Sequence, residues 1–324
     1  MNIKKLTALL CAVVMVLSLA ACGSGSGDKA ENKHYTVGIC QLVQHDALDA
    51  ATKGFRDAIT DALGAENVTF DEQNAAGDSA TCATICNGFV SSGVDLILAN
   101  ATGALQAAAA ATKDIPILGT AVTEYGVALG IDNFSGTVGG NISGTSDLAP
   151  LDQQAAMITE LFPDAKNVGI IYCSGEANSV YQADVVKAAL EEKGVTVTVY
   201  TFADSNDVAT VTQTACAEND ALYIPTDNTA ASCTEAINNV AEPAGVPIVA
   251  GEEGICKGCG IATLSIDYYE LGKTTGAMAA KILTGEANVS EMPIEYYQNP
   301  VKKYDVARCE ALGITVPADY VAIG

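Results

Sequence analysis

The chain of 324 residues contains no tryptophan, only two histidines, and 16 basic residues against 39 acidic ones. Each shortage excludes something. A surface this acidic repels nucleic acid, so no nucleic-acid partner is expected. A structural zinc normally takes four Cys or His ligands. Neither His34 nor His45 lies near the two close cysteine pairs, Cys82/Cys86 and Cys256/Cys259, so neither a metal nor another cofactor is expected. The lack of tryptophan weighs against a sugar site built on stacked indoles. There is no P-loop, no GxSxG and no HExxH. Glu252 and Glu253, adjacent in an extended segment, would point to opposite faces and could not flank one bond as a hydrolase pair does. An enzyme is therefore not expected. Beyond residue 21 no apolar run approaches the roughly 20 residues of a membrane span.

The N-terminus is of a different kind. MNIKK carries Lys4 and Lys5, and TALLCAVVMVLSLAA follows as an apolar run. This is the charged and apolar pattern of a secretory signal. It ends in Leu19-Ala20-Ala21-Cys22, which resembles a bacterial lipobox, so residues 1–21 read as a lipoprotein signal peptide with Cys22 as the lipidation site. Two acyl chains on Cys22 would suffice for stable membrane anchoring. Residues 22–34 are rich in Gly, Ser and charge, and read as a flexible tether. Loss of Lys4 and Lys5 leaves 14 basic against 39 acidic residues, a mature charge of −25. The nine cysteines after Cys22 are odd in number and their spacing is not that of a disulfide framework. Several read as small buried apolar side chains.

The remainder alternates β-rich apolar runs with Ala-rich amphipathic segments, as in TVGICQLV followed by ALDAATKGFRDAITDAL. That alternation predicts βαβ units and an α/β fold with doubly wound parallel sheets. The chain also repeats itself. Segment 37–59 parallels 168–190, 95–109 parallels 221–235, 114–124 parallels 245–255, and LGIDN (129–133) parallels LSIDY (264–268), at offsets of 131, 126, 131 and 135. Two similar lobes follow. The expected division is 35–145 plus 268–292 for lobe 1 and 146–267 plus 298–324 for lobe 2. Residues 267–285 read as a helix ending at Gly285 that crosses back to lobe 1, and 293–300 as a further crossing. Three crossings make a bendable hinge.

Ligands of such sheets lie beyond the carboxyl ends of the strands. The repeat thus nominates loops in pairs: 41–46 with 173–179, 100–102 with 226–228, and 119–123 with 250–253. From these come Gln41, His45, Thr102, Thr120, Ser174, Glu176, Asn178, Ser179, Thr226, Asp227, Asn228 and Glu252 as candidate binding residues, with Asp267 and Tyr268 beside the hinge. The ligand is expected to be one small polar molecule enclosed by both lobes of a monomer.

The segments QNAAGD (73–78), TSDLAP (145–150), SGEANS (174–179), PTDN (225–228), GEEG (251–254) and DYYELG (267–272) resemble those of the substrate-binding lipoproteins of tryptophan/tyrosine-type ABC transporters. The likeness runs from about residue 36 to 320. The chain departs from the family pattern at Gly103, where a proline is expected, and in the Gly-rich stretch 124–144. The resemblance implies a type I periplasmic-binding-protein fold. It also implies an extracytoplasmic role at the outer face of the cell membrane, serving an ABC permease and ATPase, with an aromatic amino acid as ligand. A sensing or adhesive surface lipoprotein, or an importer component for a sugar or nucleoside, would carry the same clamshell. For an amino acid, Thr102, Ser174 and Ser179 sit near helix starts as donors. Asp227, then Glu252 and Asp267, are candidates for the ammonium, and Tyr268 could stack on a ring.

Overall fold

The computed structural model describes residues 33–323; the expected signal peptide, Cys22 and most of the tether lie outside the described residues. The first stretch runs β1 (Tyr35–Gln41), α1 (Asp46–Leu63), β2 (Val68–Asn74), α2 (Ser79–Ser92), β3 (Leu96–Asn100), α3 (Thr102–Ala111), β4 (Ile117–Val122), α4 (Tyr125–Leu129) and β5 (Ile142–Ser146). The second runs α5 (Leu151–Leu161), β6 (Asn167–Cys173), α6 (Ala177–Glu192), β7 (Thr196–Phe202), α7 (Val208–Glu218), β8 (Ala221–Ile224), α8 (Asn228–Ser232), α9 (Thr234–Ala244), β9 (Ile248–Ala250), α10 (Glu253–Cys259) and β10 (Ala262–Ser265). The chain ends with α11 (Tyr268–Thr284), β11 (Glu295–Tyr296), β12 (Val301–Tyr304), α12 (Val306–Leu312) and β13 (Val321–Ala322).

Two sheets result, in the orders β11-β5-β4-β3-β1-β2 and β13-β12-β10-β9-β8-β6-β7. All pairings are parallel except β10 with β12. Five consecutive strands follow one pattern in both sheets, β5-β4-β3-β1-β2 matching β10-β9-β8-β6-β7, so the internal repeat is a repeat of topology. The chain passes between the sheets three times, at 147–150, 266–267 and 297–300. This is the doubly wound, two-lobed α/β architecture with three hinge crossovers.

Strand sequences explain the layering. β3 (LILAN) is buried along its whole length, as a central strand covered on both faces must be. Its residues alternate: Leu96 and Leu98 pack with Phe55 and Met278 on one face, Ile97 with Phe89 and Leu105 on the other. β7, TVTVYTF, is mostly exposed, and it closes the second sheet as an edge. Helix ends are written in the sequence. Asp78 accepts from the Thr81 amide at the start of α2, and Gly93 ends that helix in the left-handed conformation. Asp267 and Gly285 do the same for α11, which is the helix expected there.

α11 returns from the second sheet and lies on α1. A Cβ on Gly272 would stand 2.0 Å from the Ala51 carbonyl oxygen, and one on Gly54 would stand 2.1 Å from the Tyr269 carbonyl oxygen. The backbones therefore approach as closely as glycine allows. The hydroxyls of Thr120, Thr145 and Thr275 form a buried cluster, with contacts of 2.8–3.3 Å, that pins α11 to β4 and β5.

Of the nine described cysteines, seven are buried and all are free thiols. Among the described residues no group of three or more His, Cys, Asp or Glu is arranged to hold a metal. Among them, too, no helix is long and apolar enough to cross a membrane.

Candidate functional site

The carboxyl ends of the two sheets meet around a small inner cavity of about 10 Å³, room for about one water and far below ordinary ligand pockets of about 300 Å³ or more. The first-lobe side supplies His45, Leu48, Ala121, Thr123, Asp147 and Tyr268; the second supplies Asn178, Thr226, Asp227, Asn228, Ala231 and Glu252. A wider opening adjoins it and shares Asn178 and Asn228; Thr102 and Glu176 line that opening. The lobes touch here. His45 Nε2 lies 3.2 Å from Asn228 Oδ1, and Gln182 Nε2 lies 3.4 Å from Thr123 Oγ1.

The strand ends are built to aim side chains inward. Ala101 and Ala121 have φ of 90° and 51°, a region that costs a Cβ-bearing residue about 1–3 kcal/mol. Ala121 itself lines the cavity, so the strain falls where the backbone of β4 turns to face it.

Of the acidic residues around the cavity and its opening, Asp227, Glu176 and Glu252 are already committed. Asp227 Oδ2 accepts from the Cys173 amide and the Ser179 hydroxyl, and its Oδ1 from the Ala230 amide, all at 2.7 Å. Burial first, then the nearby Glu176 charge, pushes its carboxyl up to about 8. Glu176 accepts from the amide and side chain of Asn228, the amide and hydroxyl of Thr229, and the Asn178 side chain. Glu252 caps α10 through the Gly254 and Ile255 amides, and burial raises its carboxyl.

Asp147 is different. It follows β5, is 5% exposed, and accepts one bond, from the Tyr268 hydroxyl at 2.9 Å to Oδ2. Its Oδ1 is buried without a partner. Burial raises its carboxyl, against the pull of the Tyr268 and Thr123 hydroxyls and of His45. The other orphaned buried atom of the cavity lining is His45 Nδ1. No Lys or Arg lines the cavity.

The structure thus brings His45, Asn178, Thr226, Asp227, Asn228, Glu252 and Tyr268 to one cavity, with Thr102 and Glu176 at its mouth. It does not bring the other five expected residues there. Gln41, the last residue of β1, turns into lobe 1 and bonds Asp49 and Thr52. Thr120 lies mid-strand, beneath α11 in the hydroxyl cluster. Ser174 is exposed and donates to the Phe202 carbonyl. Ser179 is fully buried behind Asp227. Asp267 is an exposed helix cap, accepting from the Glu270 amide. Glu252 and Glu253 diverge as expected, though at a helix start and not in a strand: Glu253 pairs with Lys257 and Lys303.

Asp147 was hidden by the fourth segment of the repeat. LGIDN sets Asp132 opposite Asp267, but 129–133 holds the end of α4 and the turn after it. The strand that occupies the place of β10 is β5, so the true partner of ATLSID (262–267) is ISGTSD (142–147), and Asp147 stands opposite Asp267. The Gly-rich insertion before β5 displaced the match. Leu48, Thr123 and Ala231 carried no signal beyond proximity to a strand end.

A family model described as ABC transporter substrate binding protein matches residues 36–321. A curated relative, the tyrosine-binding protein of Clostridioides difficile (strain R20291), is 36% identical over 302 residues, covering 90% of this chain and 87% of the relative. Among solved structures, an ABC domain from Streptococcus pneumoniae in complex with L-Trp matches with a TM-score of 0.84 at 31% identity, covering 88% of this chain and 97% of that one. A ligand-free, open substrate binding protein with adhesive properties from Clostridium difficile matches with a TM-score of 0.67 at 36% identity, covering 90% and 100%. The better superposition on the complex, despite the lower identity, agrees with the closed lobes seen here. The chain belongs to the ABC transporter substrate-binding protein family.

Proposed function

We propose that this family member is anchored through a lipid on Cys22 outside the cell membrane, captures an aromatic amino acid between its lobes, and presents it to an ABC permease and ATPase. One observation carries the choice of ligand: the unpartnered Oδ1 of buried Asp147 in a cavity without a Lys or Arg. A buried carboxylate with an open valence is costly, and an α-ammonium repays that cost. Leu48, Ala121, Ala231 and Tyr268 provide apolar wall for a ring. Thr102, at the start of α3, faces the mouth and offers donors for the ligand carboxylate. Asp227 and Glu176 act as braces that hold the second-lobe loops. Tyrosine binding by the C. difficile relative and L-Trp in the S. pneumoniae complex support the aromatic class.

Closure follows by population shift. A ligand touching Asp147 on one lobe and Asn178 or Thr226 on the other favours the closed state by its differential affinity. The test is calorimetry of the mature chain with L-Tyr, L-Trp and L-Phe, beside a sugar and a nucleoside. Asp147→Asn should weaken amino-acid binding by about 2–5 kcal/mol, the range for removing one partner of a buried charge pair. Heat released only with the sugar or nucleoside, or an Asp147→Asn variant of unchanged affinity, overturns the assignment.

A further inference from the structure

Three buried thiols of lobe 1 take no part in the cleft. Cys40 lies in β1, and Cys82 and Cys86 lie four apart in α2; all three are fully buried in one core cluster. Residues four apart share one face of a helix, and the packing register brings that face onto Cys40. Gly38 and Cys40 point to the same side of β1. A Cβ on Gly38 would meet the Phe89 ring at 2.7 Å, so Gly38 sits against Phe89. Both β2 and β3 run parallel to β1, so α2, which connects them, runs the opposite way. Cys40 is about 6.6 Å along the strand from Gly38. Cys86 and Cys82 are about 4.5 and 10.5 Å along the helix from Phe89. Cys40 therefore sits between the two α2 thiols, and both share hydrogen bonds with it.

The cluster lies beneath the lobe 1 rim of the wider opening. Leu42, two residues after Cys40, and Ala80, two before Cys82, line that opening. The Gly77 amide donates to the Leu42 carbonyl at 2.8 Å, so the two rim segments already touch. Cys82 belongs to the first turn of α2, where Ser79, Ala80 and Thr81 are exposed. Fraying of that turn uncovers Cys82 first. The hydrogen bond from Cys40 lowers the Cys82 thiol from its ordinary value against the effect of burial, which marks Cys82 as the attacking sulfur.

We infer that Cys40, Cys82 and Cys86 form an oxidisable triad: Cys40 closes a disulfide with one α2 thiol, the other stays free to exchange with it, and the bond staples the rim of lobe 1 from below. The oxidant is a small organic disulfide. The Cys82 thiolate attacks one of its sulfurs, the S–S bond breaks, and the leaving thiolate takes up the proton that Cys82 lost. The Cys40 thiolate then attacks Cys82 Sγ, and the second small thiolate leaves and takes up the Cys40 proton. Two protein thiols are oxidised and one small disulfide is reduced to two thiols. Attack of Cys86 on Cys40 Sγ moves the bond along α2 and returns Cys82 to the thiol. Cys82 and Cys86 do not bridge each other. Residues four apart on a helix hold their Cβ atoms about 5–6 Å apart, beyond the roughly 3.5–4.5 Å that a disulfide spans. Cys40 is thus the obligatory partner, whichever ligand the cleft takes.

The experiment incubates the reduced mature chain with oxidised glutathione, alkylates the remaining thiols and maps linked peptides by mass spectrometry. It compares the wild type with Cys40→Ala, Cys82→Ala and Cys86→Ala. A peptide containing Cys40 should be linked to the α2 peptide in the wild type and in either single α2 variant, more slowly in Cys82→Ala than in Cys86→Ala. The link should vanish in Cys40→Ala. The wild-type map decides even where a variant fails to fold. No internal bond, an internal bond that leaves out Cys40, or one between Cys82 and Cys86 overturns the triad. Scanning calorimetry tests the staple. A cross-link between β1 and α2 restricts the unfolded chain, so the oxidised wild type should melt above the reduced one, and a lowered Tm would show that the bond does not fit this packing.

Discussion

At the scale of single residues, the site separates acids that hold the protein from one that is free to hold something else. Asp227 had the best position in the sequence, between Thr226 and Asn228 at a strand end, yet its two oxygens already take three donors from three segments. Removing it leaves the Cys173 amide, the Ser179 hydroxyl and the Ala230 amide without an acceptor, at about 1–3 kcal/mol for each donor left bare. Relief of a buried charge offsets part of that. Asp227→Ala should lower the unfolding free energy by about 2–4 kcal/mol in urea titration. Asp227→Asn, which keeps one oxygen, should lose less. Stability equal to wild type in Asp227→Ala would return Asp227 to the list of direct ligand partners.

At the scale of elements, the contact between α1 and α11 ties the chain, just after its second crossing, to the first lobe. Gly54, Gly272 and Gly276 let the two backbones meet; a Cβ on Gly276 would stand 2.5 Å from the Phe55 carbonyl oxygen. Gly272→Ala forces the helices apart, because the atom it meets is backbone and cannot rotate away. Overpacking of this kind costs about 1–3 kcal/mol, and scanning calorimetry should show the lowered Tm. A Tm at or above the wild-type value would mean that the interface is looser than its geometry states. The helix carrying these glycines was legible from its cap, its periodicity and its terminal Gly285. That Gly272 and Gly276 face α1 was not, since a glycine pair four apart has no direction until a partner is placed.

At the scale of the whole molecule, buried and exposed carboxyls give opposite pH dependences. Asp147, Asp227 and Glu252 have carboxyls raised by burial, Asp227 to about 8. A raised group contributes stability that is full below the ordinary carboxylate range and lost as pH rises through the folded value. Asp78, held by the Thr81 hydroxyl and then its amide, Asp220, held by the Asn167 and Lys166 amides, and Glu253 lie below their usual range, with Glu253 at about 2 despite its burial because Lys303 and Lys257 hold it ionised. Their contribution is present above the ordinary range and lost as pH falls through the folded value. The net charge of −23 in the full chain adds self-repulsion that acidification relieves. The ligand-free mature chain should therefore gain Tm from pH 8 to roughly pH 5 and lose it below pH 4. Ligand affinity should run the other way. Pairing with an ammonium needs Asp147 ionised, so the Tm increment from saturating L-Tyr should shrink over the same acidification. Thermal scans with and without L-Tyr between pH 4 and pH 8 measure both; an increment that grows on acidification would remove Asp147 from the ammonium site.

The sequence by itself determined the α/β class, the duplicated lobes, the helix caps and the loops that face one another. Those follow from local pattern: apolar periodicity, Asp before helices, glycine after them, and the repetition of whole βα units. Tertiary structure alone decided which polar side chains at those loops were still unsatisfied. Asp227, Glu176 and Glu252 are no different in kind from Asp147 along the chain. What distinguishes them is the supply of donors from segments up to 54 residues away, and a hydrogen-bond partner at that distance is set only when the sheets are built and the lobes have closed.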